Sequence, residues 1–365
     1  MRGRGNVLFS LAALTAPLIA CANAGAATAL RSPWDDHPIA ATTTAYNCPA
    51  VVHLSPDLTT DGFYSDAKSS VIDPAKWKAY AESSGPYKNL GQVIVDAADA
   101  WRSTGSRDAA ACALRHMEAA ARDGVFTGKM SSHQAYYVQG WVIGAIAIAW
   151  LKVRDSGQET APLQELIVPW MVSVTRQTTN FYDESHARNN HLYWAGVEAA
   201  AAGVAANDQK LFDWAVAAYR AGIEQIQPDG SMPLEMARGQ RALHYHLYAL
   251  SPLVYIAEFG EVNGLHLYAE HDNALARLER LCVDGLKNNQ FFEKATGIAQ
   301  DTPAQGPPGA EQISWGVIWE SRFPDPALAT LLTEASSLSY MYLGGLPPGV
   351  HHLVAAQRGS PWQEH

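Results

Sequence analysis

Between Glu235 and Leu250 the chain runs E-M-A-R-G-Q-R-A-L-H-Y-H-L-Y-A-L. As one helix, positions three, four and seven apart share a face, so Arg238, Arg241 and Tyr245 fall on one stripe. Two guanidinium groups beside a phenol favour its anion. A free tyrosine titrates near ~10 and is a poor base at neutral pH, so a cationic setting is what a proton-abstracting tyrosine needs. His244 and His246 flank it. Upstream, Asn189-Asn190-His191-Leu192-Tyr193-Trp194 gathers amides, an imidazole and aromatic rings. A surface helix with its arginines in water would account for the first run alone. The two runs together point to a base working among anion-stabilising donors.

Composition sets the bounds. A chain of 365 residues that is 48% hydrophobic and 17% charged can build a sizeable core. Eleven tryptophans and fifteen tyrosines supply rings for a core or a carbohydrate cleft. The net charge of −10 argues against nucleic acid as a partner. It leaves room for an anionic substrate held by a local group of Arg, Lys and His.

The N-terminus reads as an export signal over residues 1–24. Arg2 and Arg4 form its basic part, Val7–Ala20 its apolar core, and Ala22-Asn23-Ala24 a cleavage site. Leu18-Ile19-Ala20-Cys21 also fits a lipobox, the minor alternative. A periplasmic or secreted protein is expected, working as a monomer. No later stretch reads as a membrane span; the apolar run Val142–Val153 reads as a core helix. Export permits a disulfide among Cys48, Cys112 and Cys282, with one pair and one buried thiol as the simplest count. No histidine–carboxylate group has metal-ligand spacing, and His351-His352 reads as a surface pair, so neither metal nor cofactor is expected.

The elements that must position the two clusters are helical. Residues 25 to about 75 are punctuated by prolines and read as loop. Within them Gly62–Ser70, with Tyr64 and Lys68, is a candidate lid over a cleft. Leu90, Val93, Ile94, Ala97, Ala98 and Trp101 then mark an apolar stripe. Helices are predicted over Asp108–Ala121 with an Asp cap, from Ser131-Ser132 through Val153, and over Pro162–Thr178, Asn190–Ala205, Gln209–Ile226, Met236–Phe259, Asn273–Leu286 and Trp315–Leu332. Strand signals are almost absent. Successive amphipathic helices on short links pack as antiparallel hairpins. The prediction is an all-α fold: one (α/α) toroid, or incomplete α/α barrel, over residues 25–365.

The runs Asn189–Trp194, Leu211-Phe212-Asp213-Trp214, Gln227–Met236 and Arg241–Leu250 resemble the alginate lyase family, polysaccharide lyase family 5. The likeness is stronger to the broad-specificity polyuronate lyase type found in Stenotrophomonas than to the strict mannuronate enzymes. It is strong from Tyr136 to Asp301 and weaker outside. It implies a metal-free toroid that cleaves a uronate polymer by β-elimination. Asn190, His191, Arg238 and Tyr245 match the family's catalytic set. Tyr137 and Trp141 match cleft positions, while Trp194, Arg241 and His244 border the motifs. Gly62–Ser70 falls where the family has a mobile lid, but its residues diverge. The family cysteine pair that staples the N-terminal segment matches Cys48 and Cys112.

The chemistry makes its own demands. The C5 proton of a uronate is barely acidic beside a full carboxylate charge, so that charge must be neutralised first. Asn190 as amide donor, His191 as a protonated or donor imidazole and Arg238 as a cation suit this task. In β-1,4-linked mannuronate or glucuronate, H5 and the leaving O4 share a face, so Tyr245 can serve as base and then acid. Anti elimination of guluronate would instead suit His191 as base. Arg241 has three readings: substrate contact, support of the phenolate, or pairing with an acid such as Glu235. A glycoside hydrolase would need a carboxylate pair, and a polysaccharide-binding envelope protein would have no need of Tyr245.

Overall fold

The computed structural model describes residues 29–350 apart from 158–159, 187 and 303–305. The expected signal at 1–24 and the His351-His352 pair lie outside the described residues. Six helices lead the chain: α1 Pro74–Thr104, α2 Arg107–Asp123, α3 His133–Val153, α4 Thr160–Ser185, α5 Asn190–Ala206 and α6 Gln209–Ile223. Then come the short α7 Pro233–Met236, the long α8 Ala242–Glu261 and α9 Glu270–Lys287. Four more follow: α10 Gln290–Thr296, α11 Ala310–Ile313, α12 Gly316–Arg322 and α13 Pro326–Glu334. Among the described residues β pairing is confined to isolated bridges. This is the expected α/α toroid.

Small residues on the inner helices let backbones close up. α5 packs on α3, α4, α6 and α8, and α1 packs on α2 and α3. A Cβ at Gly196 of α5 would stand 2.6 Å from Ile256 Cδ1 on α8, so any larger residue there would displace that side chain. Along α3, every residue from Val138 to Val153 is buried. α3 is long and apolar enough to cross a membrane, yet 89% of its apolar window is buried inside this helical body. Several of the long helices start with the polar cap that orphan N–H groups require: Ser132 caps α3, Asn189 caps α5 and Asp208 caps α6. Ser106, not Asp108, caps α2.

Two predicted helices are broken. Met236–Phe259 is interrupted because Gly239 takes a left-handed φ of 60°, and a tight 3-10 turn over Gly239–Arg241 precedes α8. Trp315–Leu332 is split into α12 and α13 by Pro324 and Pro326, which cannot continue a helix.

Residues ahead of α1 cross the helical body as an extended segment. Cys48 and Cys112 are bonded and tie it to α2, while Cys282 is a buried free thiol. At the other end, buried Lys152 on α3 pairs with Asp99 on α1 at 2.6 Å. The same ammonium donates to the carbonyls of Gly344 and Leu346. Asp99 also accepts from Leu346 N and Ser339 Oγ. A buried charge needs all these partners, and together they lock the turn over residues 339–346 across α1 and α3, bringing Tyr342 to the cavity.

Candidate active site

A cavity of about 630 Å3 opens between the lid, α1, the first turns of α3 and α5, and the turn entering α8. Tyr245 sits in the first turn of α8, 5% exposed. Its hydroxyl lies 2.6 Å from that of Tyr64 on the lid. The break before α8 sets the arginines differently from the predicted stripe. Arg238 stacks over the Tyr245 ring with Cζ 3.3 Å from the centroid, and Arg241 stands at 5.5 Å. Burial pushes the Tyr64 phenol above the ordinary tyrosine range and Tyr245 adds to this, while Arg241 and Arg238 pull it back. Tyr64 therefore keeps its proton at neutral pH and is the donor whenever Tyr245 is ionised.

The candidate lid, residues 62–70, is hydrogen-bonded to this corner. Arg238 donates from Nε to Lys68 O at 2.8 Å and from Nη2 to Ser69 O at 2.6 Å. Gln240 Nε2 donates to Ser70 O at 2.8 Å. Asp66 braces the loop from within, accepting from Ser70 N, Val71 N and Ser70 Oγ at 2.7–2.8 Å. Burial works against its charge, yet the Val71 and Ser70 donors hold its carboxyl at about 2. The Lys68 side chain is exposed to solvent.

Across the cavity, His191 occupies the first turn of α5 with its ring stacked on Tyr137, centroids 3.7 Å apart and planes within 7°. Burial, then the Arg238 charge, brings its pKa down to about 3. The protonated option for His191 is thereby overturned: the imidazole is neutral, with Nδ1 buried and unpaired. Asn190 is also placed otherwise than expected. It is fully buried, and Glu235 receives both its backbone N–H at 3.0 Å and its Nδ2 at 2.8 Å. Asn189, the α5 cap, lines the cavity in its stead. Burial raises Glu235 to about 7, against the pull of its Asn190 bonds and of Arg238. Glu235 is thus spoken for by Asn190, and Arg241 pairs instead with Asp301 at 3.3 Å.

The remaining candidates divide. Tyr137, Trp141, His244 and Tyr64 line the cavity. Trp141 stacks on Tyr342 at 4.9 Å. Burial and then the two arginines bring His244 down to about 3, so it too is neutral. Trp194 does not face the main cavity: 3% exposed, it donates Nε1 to Tyr248 O at 3.0 Å and packs behind that ring. Its aromatic bulk goes to the core. The lining also includes Tyr248, Tyr342, Trp77 and Lys88, which motif reading passed over. Tyr248 was detectable, three and four residues beyond Tyr245 and His244 on one helical face.

Similarity to known proteins agrees with this geometry. The alginate lyase family model matches residues 57–292. A polysaccharide lyase of Stenotrophomonas maltophilia is 37% identical over 282 residues, 76% of this chain and 82% of its own. An alginate lyase of Pseudomonas fluorescens is 32% identical over 245 residues, 65% of each chain. The crystal structure of alginate lyase A1-III from a Sphingomonas species superposes with a TM-score of 0.66 at 24% identity, over 83% of this chain and 84% of that one. A histidine-to-alanine variant of A1-III complexed with a tetrasaccharide gives 0.74 at 25% identity, over 84% and 86%. With a helical toroid, a phenol pair among arginines and matches of this extent, the chain belongs to the alginate lyase family and is a polysaccharide lyase.

Proposed function

We propose that this enzyme depolymerises β-1,4-linked uronate polymers by syn β-elimination, with polymannuronate (alginate) first among them. The observation that carries the proposal is the 2.6 Å contact of Tyr245 with a proton-retaining Tyr64, beneath the Arg238 guanidinium. Tyr245 as phenolate takes H5; the C5–H electron pair forms the C4=C5 double bond as the C4–O4 bond breaks. The proton held by Tyr245 passes to the departing O4, and the new end is a 4,5-unsaturated uronate. Tyr64 donates to Tyr245 while it is anionic. Arg238 and Arg241 supply positive potential at the uronate carboxylate. Neutral His191 contributes a hydrogen bond there. With a pKa near 3 it is a weak base at neutral pH, which favours the tyrosine route over anti elimination.

Mannuronate and glucuronate differ only at C2, and neither the shared face of H5 and O4 nor the carboxylate contacts depend on C2. Glucuronan and hyaluronan are therefore included as substrates. The Cys48–Cys112 bond supports an oxidising, extracytoplasmic setting. Ultraviolet absorbance of the unsaturated product, measured with mannuronan, glucuronan, hyaluronan and guluronan, tests the reaction. Product from the β-linked polymers, reduced at least ~10³-fold by Tyr245→Phe, is expected. Reducing ends without absorbance would mean hydrolysis instead.

A further inference from the structure

Trp77, Tyr80, Ser84 and Lys88 follow one another at spacings of three, four and four, so they form one stripe along α1. Eleven residues of helix span about 16 Å, longer than a single sugar ring. Trp77, Tyr80 and Lys88 all line the cavity. Trp77 is 44% exposed although large and aromatic. Its ring sits edge-on to Phe63 at 4.8 Å and 5.5 Å from Tyr80, so the platform is braced from behind. Lys88 is half-buried, its ammonium 4.4 Å above the Tyr80 ring. Among the described residues it makes no ion pair and no hydrogen bond. Burial pulls its pKa down with no charged neighbour opposing. Every other buried cation described above has a carboxylate or carbonyl partner. Exposed Glu311 also borders this cavity but forms no ion pair with Lys88.

We infer that Lys88 and the Trp77–Tyr80 platform form a second uronate subsite, in which Lys88 receives the carboxylate of a sugar bound away from the one that reacts at Tyr245. The inference rests on the uronate-polymer reading above. The desolvated ammonium lacks a counter-ion in the protein, and a polyanion threaded past Tyr245 supplies one. The aromatic platform offers a face for the sugar ring. Such a subsite favours a chain over a single sugar and acts on binding, not on proton transfer.

The test is steady-state kinetics on polymannuronate with Lys88→Ala and Lys88→Arg. Lys88→Ala should raise KM about tenfold, as loss of one charge-assisted hydrogen bond would, with kcat within about twofold. Lys88→Arg should recover most of the loss, and the defect should shrink in ~1 M salt. An unchanged KM, or a fall confined to kcat, overturns the inference. Polymannuronate binding to Tyr245→Phe protein, with and without Lys88→Ala, separates the subsite from the lyase reading. Weaker binding on adding Lys88→Ala supports the subsite whether or not the wild type forms unsaturated product; equal affinity overturns it. Absence of both binding and product overturns both.

Discussion

The helical body and the extended segment in front of it are held by opposite means. In the body, glycines and alanines of α3, α5 and α8 let helices pack closely. The segment, residues 29–73, relies on a disulfide, scattered polar ties and a few apolar anchors such as Trp34 and Leu58. Arg31 and Asn263 exchange hydrogen bonds at 2.8 and 2.9 Å, and Lys129 N donates to Asp57 at 2.6 Å. Each half owns one phenol of the Tyr64–Tyr245 pair. The body fixes where the chemistry happens; the segment decides whether the second phenol is present. Catalysis and stability should therefore respond to different residues.

The largest effect should come from cutting the covalent tie. With the cysteines 64 positions apart, the loop-entropy estimate for removing both is about 4 kcal/mol. A Cys48→Ala, Cys112→Ala double variant should melt at a clearly lower temperature; an unchanged melt would mean that the segment is packed as firmly as the body. Next is Tyr64→Phe, which removes the donor to Tyr245. It should lower kcat about 10- to 100-fold while the melting temperature stays within ~1 °C, as for a site that is not core. An equal loss of stability would erase the distinction between the halves. Asp66→Ala should loosen the lid turn and lower kcat/KM about tenfold, again without a stability loss in calorimetry.

The smallest effect belongs to the body. Burial raises buried Glu198 to about 8, with Thr175 and Thr178 opposing. A folded-state pKa above the unfolded ~4.5 gives stability that is complete below pH ~4.5 and lost as pH climbs through 8. Glu235 and Glu279, both at about 7, act with the same sign. Glu198→Gln should therefore flatten, without abolishing, the decline of melting temperature between pH 5 and 9. An unaltered slope would mean that Glu198 is not the group responsible.

Much of this was legible because the signals were local. The toroid followed from helical periods on short links, and the Tyr245 and His191 motifs are contiguous runs that the fold brings to one cavity. The Cys48–Cys112 pair followed from resemblance. What escaped depended on partners distant in sequence. Glu235 lies near Arg241 along the chain, yet Asn190, 45 positions away, takes its carboxylate. Arg241 finds Asp301 across a turn whose Gly239 breaks the assumed helix. Lys88 looks ordinary in sequence, because an absent counter-ion cannot be read from neighbours.

The hydrogen bonds of Arg238 and Gln240 to the lid all go to the carbonyls of Lys68, Ser69 and Ser70. Every amino acid offers that same carbonyl, so this latch is blind to side-chain identity. Provided Tyr64 and Asp66 are kept, residues 67–70 of the lid can then drift, or be exchanged between related enzymes, while closure is retained. The lid becomes a place where substrate preference can be rewritten at little cost to the machinery beneath it.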